Sequence, residues 1–304
     1  MSISTALPAA VPQHFPRQIA VLILVVVACS FAGNHVAARL AFENGTGLLL
    51  AILCRSGVAL AILITLVIWQ RQTVRLPAGS WKWQILLGLL VTIQSLCLYS
   101  AVARIPVALA LLTANSFPII LALLTWALGG ARPTLKSAAL MLFILSGLVL
   151  ALDVPDVGAN WWQGIVFALG AATSFAVALW VTDHKLSALR GSVRSMFTML
   201  IVFASMIVAG FAELVPGGMN LPAATPGWLG LGALVLLYGG AFSVLFISVP
   251  RLNMARNAPV MNMEPIATLL FGWVVLEQMI SPAQMLGGLV VITGIVILTL
   301  RKSA

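Results

Sequence analysis

The stretch Asn115-Ser116-Phe117-Pro118-Ile119 returns downstream as Asn262-Met263-Glu264-Pro265-Ile266, each copy inside a long apolar run. Carried further, both read N-x-x-P-I-x-x-x-L-x-x-W, with Leu123 and Trp126 in the first copy and Leu270 and Trp273 in the second. The offset of 147 residues also pairs Trp81 with Trp228, Arg104 with Arg251 and Gly147 with Gly294. A second fragment, Ala28 to Ala32 (ACSFA), returns as Ala172 to Ala176 (ATSFA) at an offset of 144, as a short loop change would produce. One ancestral unit is present twice, so the chain must fold as two like halves. We place them at residues 1–157 and 158–304.

The halves lie in a membrane. Hydrophobic residues make up 62% of the chain and charged residues 8%, against ~25% charged in soluble domains, and mean hydropathy is +1.12. A crossing takes roughly 20 apolar residues, so 304 residues with short connections hold ten spans. Charged, Pro and Gly flanks place them at 19–42, 47–69, 84–103, 107–128 and 134–152, then 161–182, 195–214, 228–249, 255–276 and 283–300. The expected fold class is therefore an all-α membrane protein of two five-helix repeats. The net charge of +9 does not point to nucleic acid, because the basic residues sit at span ends and not on one face with interleaved aromatics. Cys29, Cys54 and Cys97 fall in apolar segments with no C-x-x-C pair, which favours packing over a disulfide or zinc site. The N-terminal run after Arg17 is too long for a signal-peptide core and reads as a retained first span.

With a cytoplasmic N-terminus, every Lys and Arg except Arg39, Arg55 and Arg104 falls inside, which is the bias expected of cytoplasmic loops. Both termini are then cytoplasmic. Five is an odd number, so the second half enters the membrane from the opposite side and the repeats are inverted. Inverted repeats recur in secondary transporters, with the solute site near the midplane and access alternating between faces.

Several polar residues fall within the spans. Pro118 and Pro265 should kink or break spans 4 and 9, making them hinge candidates, and Asn115 and Asn262 precede them by three residues. Glu264 is the carboxylate deepest in an apolar segment, where a charge costs at least ~2.5–3.5 kcal/mol. It must be protonated or paired, and is a candidate for proton coupling or for binding a solute amine; its counterpart in the first half is Phe117. Asn34 and His35 occupy span 1, with Arg39 one turn beyond, and His35 is a second proton-coupling candidate. Arg55 lies well inside span 2, able to snorkel, pair with an acid or attract a solute carboxylate. Span 3 offers Gln94, Ser95 and Tyr99, and span 8 offers Tyr238 and Ser243, holding the two tyrosines of the chain in equivalent spans. Phe117, Phe175 and Trp180 complete the cavity candidates, each equally explicable by packing. Trp81, Trp83, Trp161, Trp162 and Trp228 sit at span ends as an interfacial belt.

Taken together, the duplicated halves, Ser30 to Ala37 in span 1, Arg55 followed by small residues, the prolines of spans 4 and 9, and Leu276-Glu277 followed by Ser281-Pro282, Gln284, Gly287 and Gly294 resemble the drug/metabolite transporter superfamily, specifically its EamA-type ten-span exporters. The first half departs from that pattern at Gly130, where an acid matching Glu277 is usual. The resemblance implies a central cavity surrounded by spans 1–4 and 6–9, with spans 5 and 10 peripheral. It also implies export of small metabolites, most nearly hydrophobic or aromatic amino acids, from a bacterial inner membrane. Multidrug, cationic or nucleoside-type export on the same fold is the alternative. From the residues themselves, no Walker loop, H-E-x-x-H, G-x-S-x-G or metal-ligand cluster is present, so no cofactor, metal or catalytic set is expected. The expected partners are a small solute and the bilayer; the sequence leaves the oligomeric state open, a monomer being compatible with it. An intramembrane enzyme using His35 with Glu264, or a channel, is the competing class, against which the inverted duplication argues.

Overall fold

The computed structural model describes residues 15–77, 79–130, 134–152, 159–215, 218–248, 251–252, 257, 260–261, 263–279 and 281–302. Among these, eleven helices follow one another: α1 (Arg17–Glu43), α2 (Leu48–Trp69), α3 (Trp81–Val102), α4 (Val107–Ala114), α5 (Phe117–Ala127), α6 (Leu135–Leu152), α7 (Ala159–Lys185), α8 (Gly191–Phe211), α9 (Thr225–Ser248), α10 (Met263–Leu276) and α11 (Pro282–Lys302). Seven stretches are long and apolar enough to cross a membrane: α1, α2, α3, α8, the α4–α5 pair (Val107–Ala127), and the apolar parts of α7 (Trp161–Lys185) and α9 (Thr225–Leu245). The other three expected spans correspond to shorter apolar helices, Ala138–Leu150 in α6, Met263–Leu276, and Pro282–Gly294 in α11. Several helices start a few residues before the apolar run does. α3 opens at Trp81 and α8 at Gly191 because Trp, Lys and Ser side chains suit the interface and continue the helix there.

Proline punctuates these starts. Pro16 and Pro106 precede the first residues of α1 and α4, and Pro118, Pro226 and Pro282 lie within the first two residues of α5, α9 and α11. At such positions its missing N–H removes no helical bond and its fixed φ suits the helix. Span 4 is broken at Asn115-Ser116, as Pro118 predicts. The Ala114 carbonyl, four residues back, can draw no bond from Pro118. Around the break the Ser116 N–H donates to Thr113 O (3.1 Å), and the Asn115 side chain donates to Leu111 O (2.8 Å). On the second half α10 starts at Met263 with Pro265 as its third residue.

The packing shows the repeat directly. α1 packs on α9 and, equivalently, α3 on α7; α1 packs on α10 as α7 packs on α4 and α5; α2 packs on α9 as α8 packs on α3. α2 with α8, α4 with α10, and α6 with α11 pair with their own counterparts. Individual residues obey the same exchange. A Cβ on Gly164 would sit 2.5 Å from Ile105, and the equivalents Ala20 and Leu252 pack together in one buried cluster. Gly147 and Gly294, paired by the sequence offset, both lie in the α6–α11 seam, where an added Cβ would meet Val290 at 2.5 Å and Ile144 at 2.3 Å.

This exchange produces two bundles that are not the sequence halves. One contains α1, α2, α9 and α10, the other α3, α4, α5, α7 and α8, and α6 with α11 forms a separate pair at the side. Interhelical packing in a bilayer rests on close van der Waals fit. Gly230 of α9 shows it best, for its Cβ position lies 2.8 Å from Ala41 N and 2.9 Å from Ala37 O, backbone against backbone.

Candidate functional site

A cavity of about 620 Å³ lies between the two bundles, within the range of roughly 300–1,000 Å³ typical of small-molecule sites. The first bundle contributes Phe31, His35, Arg55, Tyr238, Phe242 and Glu264, and the second contributes Gln94, Ser95, Asn115, Phe117, Phe175 and Met199. Its walls are therefore aromatic and aliphatic, with a few polar groups at defined places.

Arg55 is one pole. It is 7% exposed, and its guanidinium lies between two rings, 4.6 Å from the centroid of Tyr99 and 4.5 Å from that of Tyr238. Cation–π contacts of this kind contribute about 0.5–2 kcal/mol each. Nη2 donates to Ser95 Oγ at 2.8 Å, and Ser95 donates on to Gln94 Oε1 at 3.4 Å. Nε is buried without a hydrogen-bond partner. Ser95 and Tyr99 belong to the second bundle and Tyr238 to the first, so Arg55 is held by both.

Glu264 and His35 form the other pole. Glu264 Oε1 stands 3.5 Å from His35 Nε2. The carboxylate lies in the first turn of α10, where unpaired backbone N–H groups favour negative charge. His35 is 6% exposed, and its Nδ1 has no partner. The His35 and Tyr99 rings meet edge to face at 6.3 Å, so a single aromatic ring separates the two poles. Phe117 and Phe175 make an edge-to-face pair at 4.8 Å, and Phe31, Tyr238 and Phe242 form a cluster with centroids 4.8 to 6.1 Å apart.

Among the candidates read from sequence, His35, Arg55, Gln94, Asn115, Phe117, Pro118, Phe175, Tyr238 and Glu264 converge on this cavity. Asn34 and Tyr99 are fully buried behind it, joined by a bond from Tyr99 Oη to Asn34 Oδ1 at 3.4 Å. Ser243 turns back on its own helix and donates to Gly239 O at 2.8 Å. Trp180 lies near the end of α7, stacked on His184 at 4.7 Å with Lys185 Nζ 5.7 Å from its ring, and does not line the cavity. Pro265 faces a small gap bordered by Pro106, Leu109 and Gln278. Asn262 lies outside the described residues. Arg39 is held away from the cavity, bonded to Glu43 at 2.6 Å and to Val102 O at 2.7 Å, where it ties α1 to the end of α3. Met199 and Phe242 carried no signal in sequence, because an apolar residue in an apolar span is unmarked, whereas Phe31 was within reach of it: the 144-residue offset pairs it with Phe175. No group of three or more His, Cys, Asp or Glu suited to a metal occurs among the described residues.

Residues 18–152 and 162–300 each match the EamA-like transporter family. No curated protein matches the chain. Matches among solved structures number 17 chains. One of them, titled only as the crystal structure of a protein, is 21% identical, with 94% of this chain and 98% of that chain covered and a TM-score of 0.59. At that identity the likeness concerns the fold alone.

Proposed function

Because the chain belongs to the EamA-like transporter family, we propose that it exports small amphipathic metabolites, hydrophobic and aromatic amino acids best of all, by alternating access across a bacterial inner membrane. The observation carrying this reading is the aromatic-walled cavity between the two bundles, with Arg55 at one pole and Glu264 at the other. An amino acid has that shape: an apolar body and a polar head carrying both signs of charge. The distribution of Lys and Arg supports a cytoplasmic location for both termini. A second reading, export of cationic solutes, draws support from the Glu264 carboxylate beside aromatic rings.

The test is purified protein in liposomes, given radiolabelled aromatic and aliphatic amino acids, nucleosides and a cationic drug, with and without an imposed pH gradient. Saturable movement of Phe or Leu is expected. Movement of the cationic drug alone would replace the amino-acid reading with the second one. Unsaturable currents would point to a channel, and no movement of any solute would reopen an enzymatic use of the His35–Glu264 pair.

Pro118 and Pro265 are proposed hinges for the motion. Pro118 stands beside the break between α4 and α5, in the cavity wall. Pro118→Ala restores an N–H able to close the helix, so exchange should slow by about tenfold while expression stays within about twofold, given the ~1–3 kcal/mol scale of single changes. Transport at the normal rate by this variant and by Pro265→Ala would remove the hinge role.

A further inference from the structure

The two poles differ in one respect. Glu264 has a partner in His35 at 3.5 Å, whereas no carboxylate among the described residues is paired with Arg55; the ion pairs there are His35–Glu264 and Arg39–Glu43. A guanidinium is always charged and carries five N–H donors in a planar fork. Here two aromatic rings cover its neighbourhood, Ser95 takes one donor, and Nε has none. Buried charges are normally paired. Arg55 is thus a cation more than nine-tenths buried at the wall of a solute-sized cavity, with an unpartnered donor and no acid paired to it among the described residues.

We propose that Arg55 is the specificity-determining anchor for a carboxylate on the transported solute, so that the cavity takes aromatic and aliphatic carboxylates and discriminates against solutes carrying only an ammonium group. The inference rests on the reading of this cavity as the transport site and narrows it. Planar, bidentate capture by Arg suits a carboxylate. The apolar body of the solute then lies against Phe31, Phe117, Phe175 and Phe242. Arg55 lies between Tyr99 of one bundle and Tyr238 of the other. A carboxylate competing for its donors loosens that tie, linking occupancy of the site to movement of the bundles.

Three solutes with one phenyl body separate the charges: phenylalanine, 3-phenylpropionate, which lacks the ammonium, and phenethylamine, which lacks the carboxylate. Direct calorimetric binding to the full-length protein in detergent should give measurable affinity for the first two and about tenfold or more weaker affinity for phenethylamine, the scale of one charge-assisted hydrogen bond. Arg55→Gln should weaken 3-phenylpropionate by about 10- to 100-fold and leave phenethylamine unchanged, and Arg55→Lys should retain the order of preference at lower affinity. Equal binding of all three solutes, or tighter binding of phenethylamine, by the unmodified protein would overturn the anchor role while leaving the transport reading intact. So would undiminished 3-phenylpropionate binding by Arg55→Gln. Binding of none of the three would overturn the amino-acid reading and the anchor with it. The order measured on the unmodified protein decides the matter even if Arg55→Gln fails to fold.

Discussion

Gly230→Leu should yield almost no folded protein, while Gly232→Leu, two residues along the same helix, should be close to neutral. A Cβ at Gly230 falls 2.8 Å from Ala41 N and 2.9 Å from Ala37 O, so the neighbour that must yield is the backbone of α1. A helix backbone cannot rotate aside as a side chain can. Gly232 has nothing within 4 Å of its Cβ position and is exposed. Overpacking in a core costs typically about 1–3 kcal/mol, and a rigid obstacle puts Leu at or above the top of that range. α1 on α9 is also among the most extensive seams in the molecule, and no hydrophobic force between helices compensates within lipid. Gly230→Ala should lie between the two. Fluorescence-detected size exclusion of the three variants checks this, and a monodisperse Gly230→Leu peak of normal height would show that α1 and α9 do not meet as described.

Glu264→Gln should abolish the part of transport driven by a pH gradient while leaving solute binding measurable. The argument starts from His35, 6% exposed, with Nδ1 unpartnered and Nε2 facing the carboxylate at 3.5 Å. Coupling requires a group on the cavity that can take up and release a proton, and Glu264 supplies the carboxylate that lines it beside His35. Gln keeps the size and hydrogen-bonding capacity of the side chain but has no proton to exchange. Gradient-driven uptake in liposomes should fall by about tenfold or more, with uptake at equal pH changed far less. The same response to the gradient in both proteins would remove the coupling role, and no gradient response in the unmodified protein would make it a facilitator.

Much of this was legible in the residues. The 147-residue offset announced two like halves, and it paired Gly147 with Gly294 before the structure put both in one seam. Pro118 announced the break in span 4. Arg55, His35 and Glu264 stood out because charge is costly in a span. The partnerships were not legible. Apolar periodicity tells which residues are greasy, and in an apolar span it marks no face, so nothing pointed α1 toward α9, and His35 with Glu264 could be named only as an alternative set without their helices being brought together. For the same reason Trp180 looked like a cavity residue. Its ring instead stacks on His184 near a helix end, a use of tryptophan that sequence cannot distinguish from lining a site. Phe242 was invisible among the 13 phenylalanines of the chain, while Phe31 could have been reached through its repeat counterpart Phe175.

The exchange of partners between halves also sets an order of events in the life of the chain. A ribosome delivers α1 to the bilayer early, yet its principal neighbours, α9 and α10, are made near the end. Until then the face of α1 that meets Gly230, at Ala37 and Ala41, lacks its final partner. α3 waits similarly for α7. Contacts so distant in sequence make assembly slow, and the first five spans do not form a finished unit that the second five merely join. The duplication that looks like two modules in the sequence is, for biogenesis, a single closing step that begins only when most of the protein is already in the membrane.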